Sequence, residues 1–132
     1  MASIFARIAS GEIPCYKVAE NDKYLAFLDV NPLTEGHTLV IPKREVDYLF
    51  DLDDETYSGL MDFAKEVAIA LKRAVPCKRI SVVVLGFEVP HAHIHLIPSN
   101  NESDANFSKP KLKLEKQRMQ EISAAVFREY EK

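Results

Sequence analysis

The sequence predicts an α+β fold, in which helices pack on a mainly antiparallel sheet, and two hydrophobic patterns carry that prediction. Short apolar runs bounded by Asn, Pro and Gly are typical of strands, and longer segments repeat their apolar residues with the helical period. The chain has 132 residues, so we expect a single domain over residues 1–132.

The N-terminal part of the chain predicts one short helix followed by extended segments. Ile4, Phe5 and Ile8 have helical spacing, and Gly11 and Pro14 end that helix. Extended segments are expected over residues 15–18, 24–30 and 37–41, with a turn at 21–22 and a loop at 31–36. Because a short loop joins the last two segments, they are expected to pair antiparallel.

The clearest helix is predicted between about Asp54 and Val75, with Asp53 as its N-cap. One stripe of apolar residues is expected to face the core: Tyr57, Leu60, Met61, Ala64, Val67, Ala68, Leu71 and Val75. A terminal amphipathic helix is predicted over about residues 111–131. Between the helices, the uninterrupted apolar run of residues 80–85 predicts a central strand buried on both faces, ended by a bend at Gly86.

The stretch VPHAHIHLIP, residues 89–98, holds three of the four histidines of the chain. His91, His93 and His95 alternate with apolar residues, so a strand would place the three imidazoles on one face. We expect the apolar face to be buried and the imidazole face to be open to a ligand. An imidazole near neutral pH serves as base, acid or nucleophile, and it also binds metals.

Catalysis is the favoured interpretation of this histidine row. The alternatives are a metal-dependent hydrolase with His37, His91 and His95 as ligands, and an ordinary polar strand face. The charge balance of 17 basic against 20 acidic residues argues against a general nucleic-acid binder. No apolar run approaches the length of a membrane span, and Cys15 and Cys77 form no C-x-x-C motif, so we expect a cytosolic protein that binds no membrane.

Three segments together resemble the histidine triad (HIT) superfamily of nucleotide hydrolases and transferases. They are HAHIHLI at residues 91–97, HTLVIPK at 37–43 and IFARIASGEIP at 4–14, and the resemblance runs over about residues 3–98. It implies a five-stranded antiparallel sheet, a homodimer, and cleavage at the α-phosphorus of a phosphoramidate or dinucleoside polyphosphate. No cofactor and no bound metal are implied.

The resemblance also implies the roles of the site residues. His93 would be the nucleophile that forms a nucleotidyl-histidine intermediate, His91 and His95 would flank the phosphate, and His37 would orient or help to protonate. Asp29 would hold the ribose hydroxyls, since a carboxylate accepts two hydrogen bonds. Apolar residues would pack against the base, namely Phe5, Ile8 and Phe27 with Ile4 nearby; ordinary core packing explains Ile4 equally well.

The chain departs from the family pattern at five positions. Ser3 and Ala6 stand where many relatives have the cysteines of a structural zinc site, and Glu45 replaces a histidine, so we expect no stoichiometric zinc. Phe87 and Glu88 replace a glutamine and a hydroxyl residue on the phosphate and leaving-group side. Because an ionised carboxylate would repel a phosphate oxygen, Glu88 would turn away from the phosphate, meet a positive group such as an amine of the leaving group, or stay protonated; the amine partner is the favoured of these three. These replacements also leave open a nucleotide-binding module with degraded catalysis.

Overall fold

A computed structural model describes residues 2–132 of the chain. The elements in order are α1 (Ile4–Ala9), β1 (Lys17–Glu20), β2 (Tyr24–Leu28), β3 (Thr38–Pro42), α2 (Asp54–Ala74), β4 (Arg79–Val83), β5 (Ile94–Ser99) and α3 (Lys116–Glu131). The five strands form one sheet in the order β1-β2-β3-β5-β4, and every neighbouring pair is antiparallel. The predicted α+β fold is therefore confirmed. Within residues 2–132, no helix combines the length and apolarity that a membrane crossing needs.

Both faces of the central strands are covered, which explains why β2, β3 and β5 are buried at every residue. On one face, Ala26, Leu28 and Val40 belong to the large core under α2 and α3. On the other face, Phe5 of α1 packs in a small second core. Its remaining buried members come from β2 and β3: Leu25, Phe27, Leu39 and Ile41. Alternate residues of one strand therefore serve different cores.

Helix α2 begins at Asp54, and the Asp53 carboxylate caps it by accepting from the Thr56 amide, as predicted. Its core stripe differs from the predicted one, because Phe63 and Ala70 are buried whereas Met61 is partly exposed. The sheet contacts one side of α2 and α3 contacts another, so the buried surface is wider and turned relative to a single stripe.

Strand β4 contradicts the prediction of a central strand buried on both faces. It lies at the edge of the sheet and pairs only with β5 among the described residues. Val82 is 56% exposed, and Val84 and Leu85 beyond it are also exposed. A continuous apolar run marks a strand that is covered on both sides, but it does not say whether the cover comes from the same chain. Gly86 has a φ of 82° and ends the run, as predicted.

The C-terminal helix begins at Lys116 rather than near residue 111. Residues 107–115, here called the strap, run across the protein surface before the helix starts. The Leu112 amide donates to the Pro32 carbonyl at 2.8 Å, and this long-range bond holds the strap out of helical conformation. In the first turn of α3, two guanidinium nitrogens of Arg118 donate to the Glu35 carboxylate at 2.7 and 3.1 Å. The strap and α3 are therefore fastened to the loop between β2 and β3.

Candidate active site

A cavity of about 430 Å³ opens where α1, the end of β2, residues 85–89 and the strap meet. One end of its wall is apolar, formed by Ile4, Phe5, Ile8, Phe27 and Leu39. The other end is polar, formed by Asp29, Glu88, His93, His95 and Lys111. A second hollow of about 540 Å³ lies between α2 and β4 and contains no histidine and no acidic residue. We therefore place the chemistry in the first cavity, which has an apolar end for a ring system and a polar end for a phosphate.

His93 is fixed by one hydrogen bond, between its Nδ1 and the carbonyl oxygen of His91 at 2.7 Å. A carbonyl oxygen only accepts, so Nδ1 carries the proton and Nε2 keeps its lone pair. The edge of the ring meets Phe5, with the two ring centroids 5.0 Å apart. Packing and hydrogen bonding together hold the imidazole in one orientation with its basic nitrogen free.

His37 and His95 form a relay whose tautomers are set by the backbone. The Leu33 amide donates to Nδ1 of His37 at 3.0 Å, so the proton of His37 lies on Nε2. That Nε2 donates to Nδ1 of His95 at 2.9 Å, which leaves the proton of His95 on its own Nε2. Burial is the main cause that lowers the pKa of His37 to about 3 and that of His95 to about 4. Both rings are therefore neutral at neutral pH, as the relay requires.

The Nε2 atoms of His93 and His95 open onto the cavity. Within residues 2–132, every side-chain nitrogen and oxygen that is buried has a hydrogen-bond partner. These two Nε2 atoms have no partner, so they are not buried, and their rings line the cavity wall. The sequence predicted that the imidazole face of the strand is open to a ligand. The rings are instead largely buried, since His93 and His95 are only 6% and 7% exposed. What reaches the cavity is one lone pair and one N–H, close together, because the two rings are 5.0 Å apart.

His91 does not line the cavity and is fully buried. Its Nε2 donates to the Pro42 carbonyl at 2.8 Å, so its Nδ1 accepts from the Ser3 hydroxyl at 2.9 Å. The Ser3 hydroxyl in turn accepts from the Ala6 amide and caps α1, while the Ser3 amide donates to the Glu45 carboxylate. The ring of His91 joins α1 to the triad, and its carbonyl holds His93.

Asp29 is one of the polar residues of the cavity wall. Its Oδ1 accepts from the Asn31 amide at 2.8 Å, and its Oδ2 lies 3.6 Å from Nε2 of His37. Burial raises the pKa of this carboxyl group. It follows the last residue of β2, whereas the sequence predicted it at the end of the extended segment 24–30. Its expected partner, a pair of ribose hydroxyls, stays a prediction.

The residues at the zinc position of relatives do not fit a zinc ion. His91 uses both ring nitrogens, the Ser3 hydroxyl is occupied in both directions, and no thiolate is present. The rival metal site of His37, His91 and His95 is not assembled either, because His91 points elsewhere. Asp29, His37 and His95 do offer ligand atoms within 4.8 Å of one another. However, both nitrogens of His37 already take part in the relay.

Sequence analysis missed Leu39 of β3 as a residue of the cavity wall, and it missed Phe107 and Lys111 of the strap. The ring of Phe107 covers His95, with centroids 4.8 Å apart, and reaches His37 at 6.0 Å. The sequence shows Phe107 as a single aromatic residue in an Asn- and Ser-rich loop, and this does not indicate which part of the protein its side chain contacts. Phe87 and Glu88 are exposed and line the cavity, and their place on the leaving-group side stays a prediction.

Comparison with known proteins gives the same pattern along the chain. A family model described as HIT domain matches residues 10–102. A HIT-like protein of Borreliella burgdorferi is 38% identical over 131 residues, covering 93% of this chain and 94% of its own length. The adenosine 5'-monophosphoramidase of Schizosaccharomyces pombe is 36% identical over 107 residues, covering 77% of each chain. A HIT-like protein of Bartonella henselae, described as involved in cell-cycle regulation, superposes with a TM-score of 0.83 at 30% identity and covers 96% of this chain and 95% of its own.

Proposed function

The chain belongs to the HIT family, and from this premise we propose that it hydrolyses a nucleoside phosphate derivative at the α-phosphorus through an intermediate on His93. The observation that carries the proposal is the pair of cavity-facing nitrogens, a lone pair on His93 and an N–H on His95. A relative named as an adenosine 5'-monophosphoramidase supports a phosphoramidate as one substrate class. The apolar end of the cavity supports a bound base, and Asp29 supports a bound ribose.

The chemistry follows from the orientation of the two rings. Nε2 of His93 attacks the phosphorus, a P–N bond to the ring forms, and the bond to the leaving group breaks. The ring becomes cationic, and the hydrogen bond from its Nδ1–H to the His91 carbonyl strengthens as charge develops. The N–H of His95 donates to a phosphoryl oxygen, and solvent supplies the proton that leaves with the amine or phosphate. Water then attacks the phosphorus and the P–N bond breaks; one proton of the water passes to solvent, the nucleotide is released and His93 is again neutral.

The test is a turnover screen over adenosine and guanosine phosphoramidates, dinucleoside polyphosphates and nucleotide sugars, with wild type and His93→Ala. We expect turnover in wild type, none in His93→Ala, and nucleotide binding in both. Intact-protein mass spectrometry after a rapid acid quench should detect a nucleotidyl adduct in wild type alone. Near wild-type turnover by His93→Ala contradicts covalent catalysis at this residue. Nucleotide affinity without turnover of any substrate supports instead a binding module, as the replacements Phe87 and Glu88 allow.

We also propose that the protein is a homodimer whose two copies meet at β4. The outer edge of β4 carries exposed apolar side chains, and Ile69 of α2 extends this surface across the neighbouring hollow. An edge strand lying antiparallel to its own copy closes with two-fold symmetry and covers such an edge. Sedimentation should show a dimer that Val82→Lys dissociates. The control Phe50→Lys changes another exposed apolar residue, at 67% exposure against 56% for Val82, outside β4 and the hollow. A monomeric wild type contradicts the proposal.

A cytoplasmic location is part of the same proposal. Cys15 and Cys77 are both free thiols, which suits a reducing compartment.

A further inference from the structure

We propose that Lys111 binds a phosphate group of the substrate and makes the cavity selective for nucleotides over nucleosides. The inference deepens the proposed function and rests on it. It starts from the charges of the cavity wall, where Lys111 is the one Lys or Arg among the described lining residues. Asp29 and Glu88 are the acidic residues of the same wall. A phosphate that enters therefore meets two carboxyl groups, and a single ammonium group is available to offset them.

The side chains of the rim residues Phe87 and Glu88 supply no donor for a phosphate. Phe87 has an apolar side chain and is 93% exposed, and an ionised Glu88 side chain accepts hydrogen bonds only. The N–H of His95 is neutral, because burial keeps the pKa of that ring low. The positive charge that a phosphate needs must therefore come from the strap.

The strap holds the Lys111 ammonium in a fixed place. Its Nζ donates to the Phe107 carbonyl at 2.7 Å and to the Lys109 carbonyl at 3.3 Å. It also lies 5.7 Å from the centroid of the Phe107 ring, whose edge meets His95. These contacts use two of the three N–H groups of an ammonium and leave one for a ligand. The next residue, Leu112, is tied to Pro32 through the backbone, so the anchor does not depend on the side chain alone.

The charge of Lys111 reaches the catalytic groups. It contributes to lowering the pKa of His37, and it opposes the effect of burial on Asp29. The ammonium is therefore near Asp29 and His37. It is also near the Phe107 ring that contacts His95, whose N–H is proposed to donate to the phosphate. A pre-positioned ammonium loses little side-chain freedom when the ligand binds, which favours affinity.

The experiment measures binding by calorimetry in the full chain, with AMP against adenosine and GMP against guanosine. The variants are Lys111→Gln, Lys111→Arg and the control Lys113→Gln, whose exposed ammonium does not line the cavity. For the base that wild type prefers, Lys111→Gln should raise the Kd of the nucleotide about tenfold, the loss expected for a charged hydrogen bond. The Kd of the nucleoside should stay within about twofold. Lys111→Arg should restore most of the nucleotide affinity, and Lys113→Gln should change neither ligand.

Two results overturn the inference. The first is an unchanged nucleotide affinity in Lys111→Gln, and the second is an equal loss for nucleotide and nucleoside, which would make the residue structural. Because the measurement needs no turnover, an inactive wild type that still shows the nucleotide-specific loss contradicts the hydrolase proposal and leaves this inference standing. A wild type that binds neither ligand contradicts both.

Discussion

Replacing Ser3 with alanine tests how the triad is held in place. The Ser3 hydroxyl accepts from the Ala6 amide and donates to Nδ1 of His91. Ser3 and His91 are both almost wholly buried. Loss of the helix cap costs about 1 kcal/mol. The imidazole nitrogen left without a donor costs a further 1–3 kcal/mol, roughly, because water has little access to it. We therefore expect Ser3→Ala to lower the free energy of unfolding by about 2–4 kcal/mol.

The assay is urea unfolding followed by circular dichroism, with turnover measured on the same samples. Ser10→Ala is the matched control, since its hydroxyl is exposed and bonds only to the Arg7 carbonyl in the same helix region. That control should lose less than about 0.5 kcal/mol. Ser3→Thr keeps a hydroxyl and should retain most of the stability. Because the His91 carbonyl orients His93, Ser3→Ala should lower kcat more than it raises KM.

A loss in Ser3→Ala no greater than in Ser10→Ala would refute the reasoning about the buried nitrogen. A stability loss with unchanged kcat would show that Ser3 supports α1 without influencing the orientation of His93.

Three further predictions concern acid sensitivity, packing and metal content. The pKa of His37 is about 3 and that of His95 about 4 in the folded protein, against an ordinary value of 6.5. Below about pH 6.5 the unfolded chain therefore binds more protons than the folded protein. The free energy of unfolding should therefore fall as the pH drops from about 6.5 towards 4 and be insensitive to these groups above pH 7. Urea titrations at several pH values should show a shallower decline for His37→Asn than for wild type. An equal decline would contradict the low pKa of His37. A β-carbon at Gly59 would overlap the Tyr24 hydroxyl, so Gly59→Ala should lose about 1–3 kcal/mol in the same unfolding assay, whereas Ser58→Ala, at an exposed position of α2, should stay within about 0.5 kcal/mol. Elemental analysis of purified protein should find no stoichiometric zinc, and about one zinc per chain would overturn that prediction.

The sequence predicted the fold well where local pattern and burial agree. The cap at Asp53, the bend at Gly86 and the antiparallel pairing of β2 with β3 depend on short-range chemistry that the residues display directly. It failed at β4 because a run of apolar residues does not indicate where in a sheet the strand lies, and edge position depends on the neighbours of the strand. It also failed at the start of α3, where a tertiary hydrogen bond from Leu112 overrides the helical pattern.

The candidate site was predicted in part. The structure brings six of the predicted residues to the wall of one cavity: Asp29, His93, His95, Phe5, Ile8 and Phe27. The roles expected of them stay predictions. His91 serves through its carbonyl, a role that the spacing of the histidines does not reveal. Phe107 and Lys111 were missed because no periodic pattern connects them to the triad. Tertiary contacts of the strap, such as the bond from Leu112 to Pro32, place these two residues beside the histidines.

The fastening of the strap to the loop between β2 and β3 has a consequence for the order in which the protein is made. A ribosome delivers the chain from its N-terminus, so the three triad histidines emerge before the strap and α3. Until Leu112 and Arg118 have been synthesised, Pro32 and Glu35 lack the partners that hold the loop between Asp29 and His37. A nascent chain therefore carries all its histidines before the strap, which contributes Phe107 and Lys111 to the cavity wall, has been translated.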